Sequence, residues 1–142
     1  MTVAAVLRNK GHEVATIPAG TRVREAVAEL ASRRIGAMPV VRGDEVAGML
    51  SERDVLYCLS TDGAGVLERQ VDELMTAPAI TVAPDMPVLK ALSLMTQKRI
   101  RHLPVVESGR IVGLVSIGDL VKYRMDQIEQ EAAALLNYIQ MA

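Results

Sequence analysis

IRHLPVVESGRIVGLVSIGDL, residues 100–120, has a near-copy in the same chain: IGAMPVVRGDEVAGMLSERDV, residues 35–55. Adding 65 to each number in the earlier stretch lands on the later one without a gap. Ile35 meets Ile100, Pro39-Val40-Val41 meets Pro104-Val105-Val106, Gly48 meets Gly113, Ser51 meets Ser116 and Asp54 meets Asp119. The register runs upstream through Arg34/Arg99, Ala26/Ala91 and Val23/Val88 to Thr16/Thr81. The chain is one unit written twice. Two copies are too few for a solenoid, which needs about three or more stacked repeats. A lone copy of about 60 residues has a marginal core. Two copies packed face to face about a pseudo-twofold axis make one ordinary domain.

Each copy spells the same elements. In copy one, residues 3–10 form a short helix behind a possible Thr2 cap, stopped at Gly11. An extended piece ends at Pro18, Pro18-Ala19-Gly20 turns, and Thr21 is a suitable N-cap. Val23, Ala26, Val27 and Leu30 fall at helical spacing. Residues 37–41 and 45–50 form a hairpin about Arg42-Gly43-Asp44, and Ser51 caps a helix to about residue 60. Residues 61–65, TDGAG, read as a linker. Copy two predicts a helix over 71–75, a strand over 79–82, a helix over 87–99 with Val88, Ala91, Leu92 and Met95 inward, and a hairpin turning at Glu107-Ser108-Gly109. The expected unit is a small three-stranded sheet with helices on one face, its other face covered by the second copy.

The last helix departs from the repeat and continues to about Ile139. Val121, Met125, Ile128, Ala132, Leu135 and Ile139 step by 4, 3, 4, 3 and 4, a heptad seam. The seam packs either on its own domain or against a second copy in a homodimer.

Composition excludes several functions. The formal charge is −1 over 142 residues, so nothing attracts nucleic acid or anionic membrane in general. Phe and Trp are absent and there are three Tyr, so stacking of bases on aromatic platforms has almost nothing to work with. No apolar run approaches the roughly 20 residues that span a bilayer. The opening MTVAAVLRNKGHEV has no apolar core after a basic start, and Cys58 is the lone cysteine. The expectation is an intracellular, cytoplasmic protein without a signal peptide or disulfide. His12, His102 and Cys58 are scattered, so no metal site is expected. No triad, P-loop or ligand cluster suggests an enzyme.

The residues with most to say are the two hairpin-to-helix junctions, GMLSERD at 48–54 and GLVSIGD at 113–119. Ser51 and Ser116 stand at helix N-caps, with Asp54 and Asp119 three residues later. A carboxylate at a cleft edge suits the two hydroxyls of a ribose, and the helix N-terminus beside it suits a phosphate. Taken singly, each pair is also an ordinary capping box. Cations cluster before the second Pro-Val-Val strand, in Lys98-Arg99-Ile100-Arg101-His102, and Arg53 adds one at the first junction. Helix ends favour cations in any case, which accounts for Arg33, Arg34, Lys98 and Arg99 better than for Arg101 and His102.

The repeated order of Thr-Ile or Thr-Val, a helix, hydrophobic-Pro-Val-Val and Gly-x-x-Ser-x-x-Asp resembles a tandem pair of CBS motifs. This is the module named after cystathionine β-synthase, also called a Bateman module. The resemblance covers residues 3 to about 123 and divides the chain into a first motif at 1–62, a second at 63–123 and a helical extension at 124–142. It implies an α/β (α+β) module of two pseudo-symmetric motifs with two clefts for adenine nucleotides: AMP, ADP, ATP, NAD or S-adenosylmethionine. It implies ribose contacts from Asp54, Asp119, Ser51 and Ser116, and phosphate contacts from Arg53, Arg101 and His102. Around the base, Ala15, Ile35, Gly36 and Ala37 are expected to face Leu114, Ser116 and Asp119. Ile80, Ile100, Arg101 and His102 are expected to face Met49, Ser51 and Asp54. The first motif has Gly36-Ala37 where the second has Arg101-His102, so the clefts are expected to differ. Copy one also carries three extra residues, since Val3 matches Val71 at an offset of 68.

The function implied is a stand-alone, non-catalytic regulatory module. It would sense an adenine nucleotide and signal, through a homodimer, to an effector protein on another chain. The alternative is a structural homodimerisation module with no physiological ligand.

Overall fold

A computed structural model describes residues 1–141. The order is α1 (Val3–Lys10), β1 (Ile17–Pro18), α2 (Val23–Arg33), β2 (Ala37–Arg42), β3 (Glu45–Ser51), α3 (Glu52–Asp62), a 3-10 turn (Ala64–Glu68), α4 (Val71–Leu74), α5 (Val88–Lys98), β4 (His102–Glu107), β5 (Arg110–Ser116) and α6 (Ile117–Met141). The two copies repeat the order helix, helix, hairpin, helix. Each hairpin pairs antiparallel, and each carries a register shift at the same place, Val40/Val41 and Val105/Val106. The hairpin turns require left-handed backbone: Gly43 has φ 64, and Ser108 and Gly109 have φ 52 and 77.

The sheets differ by one strand. Copy one is three-stranded, with β1 parallel to β2. In copy two the strand expected over 79–82 shrinks to a single bridge between Val82 and Val105. Val82 makes both of its ladder bonds, to the Pro104 carbonyl and from the Val106 N–H. The next bond is missing for a chemical reason. In copy one the Ala19 N–H donates to the Val41 carbonyl at 2.8 Å. Its counterpart is Pro84, which has no N–H to give.

Other expectations need correction. Arg22, not Thr21, is the N-cap of α2, and the Thr21 hydroxyl donates to the Pro18 carbonyl within the turn. The Thr2 side chain makes no cap bond. The expected linker over 61–65 is the end of α3 and the start of the 3-10 turn, held down by buried Val66.

The first helix of each copy packs on the other copy. Val3, Val6 and Leu7 of α1 join the core of copy two, with Val88, Met95, Leu103 and Val115. Val71 and Leu74 of α4 join the core of copy one, with Val23, Leu30, Met38 and Leu50. The backbone repeats the exchange. The Val3 N–H donates to the Met86 carbonyl at 2.9 Å, and the Val71 N–H donates to the Thr21 carbonyl at 2.8 Å. Here the repeated glycines acquire a reason. A Cβ on Gly113 would lie 2.7 Å from both Leu7 methyls, and one on Gly48 would lie 2.8 Å from the Thr76 carbonyl oxygen. Only a glycine lets the crossing segment lie this close to the hairpin.

The long helix does not fold back on its own domain along its seam. Val121, Met125, Ile128, Leu135 and Ile139 are between 41% and 60% exposed. A 25-residue helix is about 37 Å long, more than a domain this small can cover. Among the described residues, no helix is long and apolar enough to cross a membrane.

Candidate functional site

A cavity of about 400 Å³ opens where β2 and β4 begin, beside the start of α3. Three segments build it. The β3–α3 junction supplies Met49, Ser51, Glu52, Arg53 and Asp54. The stretch after α4 supplies Thr76, Pro78, Ala79 and Ile80. The entries to the two Pro-Val-Val strands supply Gly36 and Ala37 from one side and Arg99, Ile100, Arg101 and His102 from the other.

Both strand entries reach one cavity because they abut. A Cβ on Gly36 would lie 3.5 Å from Glu52 Oε1 and 3.9 Å from His102 Cε1. Each strand entry also ties down a helix start. The Gly36 carbonyl accepts from the Glu52 N–H at 2.9 Å, and the Arg101 carbonyl accepts from the Ile117 N–H at 2.8 Å.

Ten of the residues expected at a ligand site therefore line this cavity: Gly36, Ala37, Met49, Ser51, Arg53, Asp54, Ile80, Ile100, Arg101 and His102. Five lie elsewhere. Ala15 and Ile35 pack against the core of copy one. Leu114, Ser116 and Asp119 form the other junction. The expected grouping of Gly36 and Ala37 with Leu114 and Asp119 is corrected, since they stand with Arg101 and His102. Glu52, Thr76, Pro78, Ala79 and Arg99 were missed. Thr76 and Pro78 come from the crossing segment after α4, which no local pattern connects to the Ser51 junction. Arg99 looked like a helix-end cation, and it holds the left-handed C-cap of α5 at φ 55.

The Ser51–Asp54 pair is a complete capping box. The Asp54 N–H donates to Ser51 Oγ at 3.1 Å, while the Ser51 N–H and hydroxyl donate to Asp54 Oδ2 at 2.9 and 3.0 Å. Capping occupies one carboxylate oxygen. Among the described residues the other, Oδ1, meets only the Thr76 hydroxyl, at 3.4 Å. A cap and an acceptor toward the cavity thus coexist in one side chain. Arg53, Arg99 and Arg101 form no ion pair among the described residues. Three guanidiniums against the carboxylates of Glu52 and Asp54 leave the lining one positive charge in excess. The apolar wall is aliphatic: Ala37, Met49, Ala79, Ile80 and Ile100.

His102 is half-buried, and its pKa lies below the usual 6.5. Burial is the main cause and the Lys10 ammonium the next, partly offset by the Asp119 carboxylate; Arg101 lowers it further and Glu52 opposes. Its neutral form is favoured in the folded state, whereas the unfolded chain binds a proton near 6.5. This contribution to stability is present above that pH and is lost as pH falls below it. Between about pH 7.5 and about pH 5.5, urea unfolding should show the wild type losing more stability than His102→Gln. Equal losses would remove His102 as the responsible group.

At the second junction a lysine of the same chain lies on the carboxylate. Lys10 Nζ donates to Asp119 Oδ2 at 2.6 Å and to the Leu114 carbonyl at 2.7 Å. Asp119 is partly buried, which by itself raises its pKa. Hydrogen bonds from Lys10 and from the Ser116 N–H outweigh that and hold it below the usual carboxylate value.

Comparison with known proteins agrees with this architecture. The family model described as "CBS domain" matches twice, at residues 6–61 and 71–126. The chain is 34% identical to the CBS domain-containing protein CBSX3, mitochondrial, of Arabidopsis thaliana, over 98% of this chain and 72% of that protein. The crystal structure of the CBS-domain containing protein ATU1752 from Agrobacterium tumefaciens is similar at a TM-score of 0.82 and 35% identity, covering 87% of this chain and 92% of that one. The CBS domain pair of protein MJ0100, solved in complex with 5-methylthioadenosine and S-adenosyl-L-methionine, shares the fold at a TM-score of 0.74 and 22% identity, covering 89% and 98%.

Proposed function

The chain belongs to the CBS domain family, and from that premise we propose that it is a non-catalytic regulatory module. It binds an adenine nucleotide between its two motifs and passes that occupancy to a partner protein through a homodimer.

One observation carries the reading. Among the described residues, the cavity sets a carboxylate oxygen with only a 3.4 Å hydroxyl neighbour beside three guanidiniums without ion-pair partners and an aliphatic wall. In this reading Asp54 accepts from the ribose hydroxyls, with Ser51 beside it. Arg53, Arg101 and Arg99 meet phosphate, with His102 at the edge. Met49, Ile80, Ile100 and Ala79 enclose the base. Protein MJ0100, which shares the fold, is solved with two adenosine compounds, in keeping with this class of ligand. The surplus of positive charge favours AMP, ATP or NAD over S-adenosylmethionine, whose sulfonium adds a cation.

The exposed seam of α6 supports the homodimer. Its apolar residues recur at heptad spacing, and such a stripe is self-complementary across a twofold axis. A ligand shifts dimer geometry only as far as its affinities for two arrangements differ.

The test is thermal unfolding with AMP, ATP, NAD or S-adenosylmethionine at about millimolar concentration, with light scattering on the same samples. A ligand at 100 times its dissociation constant adds about 2.7 kcal/mol, a shift of about 5–10 °C at this chain length. A shift with a phosphorylated adenine compound and none with GTP or ribose phosphate, at the mass of two chains, is the expected result. No shift with any compound favours the structural homodimerisation module, with Ser51 and Asp54 as caps alone. The mass of one chain removes the homodimer.

A further inference from the structure

The two junctions share the Ser and Asp of their helix starts, Ser51 and Asp54 against Ser116 and Asp119, and one of the differences around them is where the crossing helix ends. In copy two the crossing helix α4 has four residues, and Thr76 follows it closely. The Thr76 N–H donates to the Met49 carbonyl at 2.8 Å, and its hydroxyl lies 3.4 Å from Asp54 Oδ1. In copy one the crossing helix α1 has eight residues, four more than α4. The three residues by which the two offsets differ fall after Leu7 and Met75, which occupy matching places against Gly113 and Gly48. The longer helix carries Lys10 onto the Leu114 carbonyl, the counterpart of the Met49 carbonyl, and onto Asp119 Oδ2, the oxygen that also accepts the Ser116 N–H.

The chemistry of the two contacts is not the same. A hydroxyl at 3.4 Å leaves the Asp54 carboxylate charged and open to a ligand. An ammonium at 2.6 Å makes a charge-assisted bond to Asp119 and cancels its charge. A ribose diol approaching Asp119 would meet a carboxylate whose charge the Lys10 ammonium already balances, and a neutral hydroxyl is the weaker donor. The stem of Lys10 lies over the same edge, and its side chain is 36% exposed. His12 lies beyond it, with Nδ1 3.2 Å from the Val112 carbonyl oxygen. The loop after α1 is thus held along β5.

We infer that Lys10 is an internal plug: the chain takes one adenine nucleotide, at the Asp54 cavity, and keeps the Asp119 cleft as a closed second site. This rests on the nucleotide reading above and adds its stoichiometry. The three-residue lengthening of copy one is what closes the cleft.

The test counts bound AMP per chain by equilibrium dialysis, with ATP in parallel, for the wild type, Lys10→Ala and Lys10→Arg. Thermal unfolding confirms that each is folded. The expected result is one AMP for the wild type and for Lys10→Arg, which keeps the cation. Lys10→Ala should bind two, the second at least about tenfold more tightly than the wild-type cleft allows. Two AMP on the wild type, or one on folded Lys10→Ala, overturns the plug and leaves the nucleotide reading intact. No AMP on the wild type and one on Lys10→Ala overturns the open-cavity reading and keeps the plug. None on either overturns both. Carboxyl NMR supplies a readout without ligand. The Asp119 titration should move up in Lys10→Ala, and an unchanged titration means that the contact is not made in solution.

Discussion

Leu7→Ala should destabilise the protein by about 2–5 kcal/mol, the range for truncating a leucine in a packed core. Leu7 is 1% exposed, although it lies in the first helix of the chain. Its methyls rest on Gly113 of the other copy, and the loss would appear as a lower urea midpoint. A double-mutant cycle sharpens the expectation. Gly113→Ala alone overpacks the same contact, at a cost of about 1–3 kcal/mol. Together the two changes should cost clearly less than their sum, because the new methyl enters space vacated by Leu7. Additive losses would mean that α1 does not cross to copy two in solution. Gly48→Ala should be harsher than Gly113→Ala, since its added Cβ meets the Thr76 backbone carbonyl rather than a side chain that can turn aside.

Asp54→Ala should weaken nucleotide binding by about 1.5–3 kcal/mol, roughly 10- to 150-fold, the range for hydrogen bonds to a charged acceptor. The same change removes a capping box, which costs stability by about 0.5–2 kcal/mol. Affinity must therefore be measured where the variant is fully folded. Asp54→Asn retains an oxygen acceptor and much of the cap, so its loss should fall between. Asp119→Ala should weaken binding at the open cavity far less, because its carboxylate bonds Lys10 and is not part of the cavity lining, and acts there only through its charge beside His102. Undiminished affinity in folded Asp54→Ala would end the ribose assignment. A loss in Asp119→Ala equal to that in Asp54→Ala would place the ligand in both clefts.

Much of the site was legible because its residues recur. Ser51 and Asp54 stand out only through Ser116 and Asp119, at the same place in the second copy. The cap geometry, the hairpins and the long final helix all follow from local spacing and turn chemistry. Thr76, Pro78 and Ala79 were not legible, since nothing near residue 76 points to a junction more than 20 residues earlier. Nor was the direction of Gly36 and Ala37. Their strand entry lines the same opening as Arg101 and His102 because the two strand entries abut.

The amino-acid sequence by itself determined the doubling, the α+β unit, the helix starts at Ser51 and Ser116, and the seam along α6. These depend on periodicity and on residues a few positions apart, where backbone geometry links neighbours directly. Only the tertiary structure decided that α1 and α4 trade partners, that a cavity opens at Asp54, and that Lys10 bonds Asp119. Those outcomes depend on which buried surfaces pack best across the whole chain. Three extra residues in copy one, visible as an offset of 68 against 65, acquire a consequence only when Lys10 meets an aspartate 109 residues away.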